Sequence, residues 1–147
     1  MKRALAVIAI IGGVFLVYRA YDRATPERQY KAFAEEIVHR RFDKAAAMSD
    51  GLSEAALAKE GVLDPAILQT LFPSRFEVQT REKSADGALT LTAVQTVLFN
   101  PPGVESAIRP AMYAKMNQTI TLRKGTGGWK VVAFENKLGK MDALTSR

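Results

Sequence analysis

The chain has 147 residues, which is enough for one domain and little more. Charged residues make up 24% and apolar residues 48%, a globular balance that excludes fibrous, disordered and polytopic membrane proteins. The net charge is +6, cysteine is absent, and His39 is the single histidine. Disulfides and thiol chemistry are therefore excluded, and we predict neither a metal site nor a cofactor.

An uncharged apolar run, residues 4–18, follows Lys2 and Arg3 at the start of the chain. As a helix it would be about 22 Å long, which is shorter than a hydrocarbon core of about 30 Å. It fits either a cleaved signal peptide or an uncleaved anchor. The cleavage candidates are poor, because Tyr18 lies two residues before Ala20 and Asp22 lies two residues before Ala24. We therefore predict an uncleaved signal anchor and juxtamembrane segment over residues 1–24.

The charges beside this run bear on its orientation. A short basic start favours a cytoplasmic N-terminus, with the following domain on the periplasmic side of the cell inner membrane. Arg19 and Arg23 lie on the other side of the run, so the charge rule does not separate the two orientations cleanly. Ala9 and Gly13 form a small-residue pair that could contact another transmembrane helix, although such pairs also arise by chance. The run predicts a single-pass transmembrane helix with membrane lipid as one partner.

Helices are predicted for the first half of the remaining chain. Thr25 and Pro26 are typical of a helix start. The apolar residues that follow recur at helical spacing and form one stripe: Tyr30, Phe33, Ala34, Ile37 and Val38. Shorter helices are predicted over residues 42–48, 53–60 and 64–72, each bounded by proline, glycine or a capping residue.

The second half is predicted to form four strands, over residues 75–83, 88–99, 112–124 and 129–135. Turns at 85–87 and 125–128 join neighbouring strands, and residues 100–110 form a longer loop. Alternation places Phe76, Val78 and Thr80 on one face of the first strand. Helices followed by an antiparallel meander predict an α+β domain over residues 25–137, with residues 138–147 as a loose C-terminal tail.

Two segments of the chain carry a family resemblance. FAEEIVHRRFDKAAAM (33–48) and GGWKVVAFENK (127–137) resemble the first helices and the last strand of the nuclear transport factor two, ketosteroid isomerase and polyketide cyclase family. This cystatin-like superfold implies a cone, with helices packed on a curved antiparallel sheet. A single membrane helix before such a cone also resembles the plan of bitopic inner-membrane proteins in type IV secretion channels.

The resemblance implies that an enzyme would carry a titratable group inside the cone. The inward strand positions are almost all apolar, and the exceptions are Gln95 and Gln118, which cannot act as general bases. We therefore predict no catalytic residue. The two amides either pair with each other or bind the polar end of a ligand, with Met112 and Met116 as its apolar lining or as plain core. Trp129, Phe33 and Ile37 are predicted to be structural.

Three functions follow from these observations. The first is a non-enzymatic, membrane-anchored accessory or assembly subunit of a multiprotein membrane complex, which uses the α+β domain for protein–protein interaction. The alternative is an extracytoplasmic binding module for a small apolar ligand or peptide. The third is an isomerase- or cyclase-type enzyme. Nucleic acid is not expected as a partner, because no aromatic residues interleave with the basic residues from Arg109 onward.

Overall fold

The computed structural model describes residues 25–103 and 108–144. Helices form the first half of this region: α1 (Pro26–Val38), α2 (Phe42–Ala47), α3 (Glu54–Ala58) and a short 3-10 helix (Pro65–Thr70). Pro26 and Pro65 each occupy the first turn of their helix, where a missing N–H breaks no helical hydrogen bond. The predicted helical half is confirmed.

Helix α1 packs its apolar stripe against the sheet. All five residues of the predicted stripe are buried, and Phe33 packs edge-to-face on Phe134 with ring centroids 5.0 Å apart. Helix α1 ends at Val38, and Arg40 follows the C-cap residue His39 with a φ of 57°, the left-handed conformation that glycine usually supplies at this position. The Arg40 guanidinium lies 5.3 Å from the centroid of the Phe42 ring, which joins the end of α1 to α2.

Four antiparallel strands form one sheet in the order β1-β2-β3-β4. Their bounds are β1 (Arg75–Lys83), β2 (Leu89–Phe99), β3 (Met112–Gly125) and β4 (Gly128–Ala143). Each strand pairs with the next along the chain, so the sheet is a simple meander. The α+β class and the four-stranded meander are thus confirmed.

Because the edge strands are irregular, the structure differs from the prediction in two places, at Thr80 of β1 and at the end of β4. The β1 register shifts between Val78 and Thr80, so Thr80 lies opposite Thr92 on the outer face of the sheet. The prediction that Thr80 shares a face with Phe76 and Val78 is wrong for this reason. Strand β4 also has two register shifts and continues to Ala143, where a loose tail was expected from residue 138.

The core consists of two apolar clusters on the inner face of the sheet. The first includes Phe33 and Ile37 of α1, with half-buried Trp129 packed against it. The second includes Val38, Val97 and Met116. Between the clusters, the inner face carries three buried amide side chains, which we call the amide belt: Gln95 on β2, Gln118 on β3 and Asn136 on β4.

The predicted membrane anchor, residues 1–24 with Ala9 and Gly13, lies outside the described residues. Within residues 25–103 and 108–144, the structure contains no helix that is long and apolar enough to cross a membrane.

Candidate functional site

The amide belt is the most polar feature of the interior. The Nε2 atom of Gln118 donates to Gln95 Oε1 at 2.8 Å and to Asn136 Oδ1 at 3.1 Å. The Tyr30 hydroxyl of α1 donates to Gln118 Oε1 at 2.5 Å. Gln118 therefore uses both amide hydrogens and its carbonyl oxygen within the protein, and it joins all three strands to the helix.

The two ends of the belt are also paired. Gln95 Nε2 donates to Ser74 Oγ at 3.1 Å and reaches Glu35 Oε1 at 3.5 Å. At the other end, Asn136 Nδ2 donates to the Glu60 carbonyl oxygen at 2.8 Å, and its backbone N–H donates to the Glu60 carboxylate at 2.9 Å. Throughout the described residues, no buried side-chain nitrogen or oxygen lacks a hydrogen-bond partner. The belt is thus satisfied without a ligand, as buried polar groups require.

The belt's chemistry follows from its residue types. Amide side chains donate and accept hydrogen bonds but do not exchange protons near neutral pH. Two carboxylates contact the belt: Glu60 at the Asn136 backbone N–H, and Glu35 at Gln95 Nε2. Glu35 also lies 3.4 Å from His39 Nε2 at the half-exposed surface of α1. This arrangement is suited to orienting groups and fixing strands.

Tyr30, which donates to Gln118 of the belt, is titratable, and burial raises the pKa of its phenol above the usual value. The unfolded chain should lose this proton near pH 10, while the folded chain keeps it. The unfolded state then binds fewer protons, so stability should fall as pH rises above about 10. We expect the free energy of unfolding of Tyr30→Phe, measured with urea between pH 9 and 11, to fall less steeply with pH than that of the wild type. If the free energy of unfolding fell equally steeply with pH in both proteins, this prediction would be contradicted.

The structure places three of the four predicted ligand residues together. Gln95 and Gln118 are hydrogen-bonded to each other, and Met116 is 1% exposed with its sulfur 3.6 Å from Asn136 Nδ2. Met112 lies apart, half-buried at the far end of the second cluster. The crevice beside Met116 and Asn136 offers about 10 Å³, which is room for about one water molecule.

Asn136 and Glu60 belong to this network although the sequence pattern did not predict them. Strand β4 was predicted to end at residue 135, whereas in the structure it continues past a register shift near Val132. If the inward–outward alternation of side chains is counted afresh after that register shift, Phe134, Asn136 and Leu138 fall on the inner face.

A second feature is an exposed apolar strip at the open end of the inner face. Leu138 and Met141 of β4 are 44% and 45% exposed, and they pair with Met116 and Ala114 of β3. Met112, on the same face of β3, adjoins them. We call Met112, Leu138 and Met141 the distal strip. Two of its members, Leu138 and Met141, are exposed apolar side chains on the edge strand β4, an arrangement typical of contact surfaces.

Metal binding has no geometric support in the described part of the chain, where no three His, Cys, Asp or Glu side chains gather in a group able to hold an ion.

Comparison with known proteins adds no assignment. No protein-family model matches the sequence, and a search of curated proteins finds no significant match.

Proposed function

We propose that this chain is a non-enzymatic, membrane-anchored accessory or assembly subunit of a multiprotein membrane complex. Residues 1–24 are its single-pass anchor in the inner membrane, and the α+β domain makes protein–protein contacts on the periplasmic side. The family resemblance of residues 33–48 and 127–137 to the cystatin-like cone belongs to this proposal.

The observation that carries the proposal is the distal strip. Leu138 and Met141 expose nearly half of their side chains on an edge strand, next to the second apolar cluster. An edge strand also presents backbone hydrogen-bonding groups along its open side, so a partner strand or helix can bury the strip and pair with that edge. Methionine suits such contacts because its unbranched side chain adapts to the partner's shape.

The interior supports this proposal over a ligand-binding one. Small-molecule sites usually offer about 300–1,000 Å³. The crevice beside Met116 and Asn136 offers about 10 Å³, and the amide belt is satisfied by its own hydrogen bonds. A ligand would have to displace bonds that the protein already makes. Contact surfaces outside the interior require no such exchange.

The test is the size and composition of the full-length tagged chain after extraction in mild detergent. We expect it to migrate in a particle with a fixed set of partner proteins. Met141→Lys should release the chain from that particle, because a charge would be buried at the contact. The matched control is Ala133→Lys, an exposed position on the outer face of the same strand, which should leave the particle intact.

Two results would contradict the proposal. Migration of the wild-type chain alone in its detergent micelle would overturn the assembly role. A particle that withstands Met141→Lys and Leu138→Lys, with both variants folded by circular dichroism, would exclude the distal strip as the contact surface.

A further inference from the structure

The two sheet turns and the start of α1 lie at the same end of the domain. The turn at 84–88 joins β1 to β2 and the turn at 125–128 joins β3 to β4; the pairing of Leu89 with Leu122 sets these turns side by side. The ion pair of Glu27 with Arg81 brings the first turn of α1 to the same end. We call this region the hairpin end.

The hairpin end is rich in basic side chains. Its basic residues are Arg28, Lys31, Arg81, Lys83, Arg123, Lys124 and Lys130, and its acidic residues are Glu27, Asp50, Glu82 and Asp86. Asp86 pairs with Arg123 at 2.7 Å. Within the described residues, no carboxylate lies at ion-pair distance from Lys83 or Lys124, which are both exposed. This surplus of positive charge fits an anionic partner.

Trp129 lies at this end and gives it a second property of membrane-facing surfaces. It pairs with Lys124 across β3 and β4, and its side chain is half-buried against the first cluster. Tryptophan is enriched at the level of lipid headgroups because its ring is both apolar and polar. A tryptophan surrounded by lysine and arginine thus matches the chemistry of a headgroup layer.

The length of chain before the domain limits how the domain can be placed. Six residues, 19–24, separate the apolar run from Thr25. Fully extended, that connection spans at most about 25 Å. Strand β3 alone, with 14 residues, is about 45 Å long. With residues 4–18 in the membrane, this connection keeps Thr25 within about 25 Å of the lipid. That tether favours an orientation in which the hairpin end faces the bilayer.

We propose that the hairpin end rests on anionic phospholipid headgroups, with Lys83 and Lys124 as its principal contacts and Trp129 at headgroup level. The inference rests on the membrane anchor of the proposed function and adds to it a lipid class and an orientation. It directs the distal strip away from the bilayer, where a protein partner can reach it.

The test uses Trp129, the single tryptophan of the chain, as the probe. The full-length protein is reconstituted in vesicles of phosphatidylcholine alone or mixed with phosphatidylglycerol, with a fraction of the lipids brominated. We expect stronger quenching and a blue-shifted emission in the vesicles that contain phosphatidylglycerol, and loss of that difference at high salt. Quenching that is equal in both vesicle types would overturn the inference.

A pair of double variants tests which residues are responsible. The double variant Lys83→Gln, Lys124→Gln should raise the ratio of detached to membrane-bound domain by about thirtyfold. Each lysine near an anionic surface strengthens binding by about fivefold. The matched control is Lys115→Gln with Lys140→Gln, which changes two paired lysines on the outer face away from the hairpin end. The inference is overturned if both double variants behave alike.

Flotation of the vesicles in alkaline carbonate separates this inference from the proposed function. A chain that floats with the vesicles while Trp129 is unaffected by phosphatidylglycerol retains its anchor and refutes the orientation alone. A chain that does not float refutes the anchor, and the inference with it.

Discussion

Replacing Phe33 with alanine is expected to lower the free energy of unfolding by about 4 kcal/mol. The Phe33 side chain is 0% exposed and lies in the first apolar cluster, edge-to-face with Phe134. Alanine would leave a cavity between α1 and the sheet, because the helix cannot move inward while Tyr30 is held by Gln118. Urea unfolding of the full-length chain, followed by circular dichroism, measures the change.

The matched control for this substitution is Lys31→Ala, on the exposed face of the same helix. It should change stability by less than about 0.5 kcal/mol, since exposed positions without specific contacts are tolerant. A loss below about 1 kcal/mol for Phe33→Ala would contradict the packing of α1 on the sheet.

The second large effect is expected for Gln118→Leu, at about 3 kcal/mol of lost stability. Leucine has a similar size, so the loss comes from hydrogen bonding and not from a cavity. Tyr30, Gln95 and Asn136 would each lose a buried partner, and an unsatisfied buried polar group costs about 1–3 kcal/mol. Gln79→Leu makes the same substitution at an exposed position of β1 and should have little effect.

A double-mutant cycle isolates the hydrogen bond between Tyr30 and Gln118. In the Gln118→Leu background the Tyr30 hydroxyl is already unpaired, so removing it by Tyr30→Phe should cost at least about 1 kcal/mol less than in the wild type. Additive effects would show that the two residues are not coupled, contrary to the geometry. Partner binding at the distal strip should survive Gln118→Leu under conditions where the variant is folded.

The helices and strands could be predicted because the sequence marks their ends locally. Pro26 and Pro65 begin helices, and the turn at 125–128 contains Gly128, whose φ of +100° favours glycine. The stripe on α1 and the alternation on β2 and β3 each match the period of their element. Elements, their order and their buried faces follow from such signals, and so does the α+β class.

The edge strands could not be predicted as well because their irregularities depend on a neighbouring strand. An added Cβ at Gly139 would lie 2.7 Å from Asn117 Nδ2, so the backbone of β4 approaches that side chain at a register shift. Residue 117 is 22 positions earlier in the sequence, and no local pattern records the approach. Thr80 and the extent of β4 were misplaced for the same physical reason.

The candidate site was predictable in part. Alternation alone put Gln95 and Gln118 on the inner face, where the structure has them. Their bond to each other and the inclusion of Asn136 require the register of three strands, which is a tertiary property. The distal strip was missed because β4 was expected to end before Leu138.

The amide belt has a consequence for how the strands find their pairing. A slip of two residues returns every side chain to its original face, so the apolar pattern does not distinguish the slipped sheet from the native one. A slip of β4 would set Asn136 beside Met116 or Ile120, and its buried amide would lose Gln118 as a partner. The belt therefore specifies the register of the strands. Its three amides make the native pairing more stable than pairings shifted by two residues, which the apolar pattern alone does not disfavour.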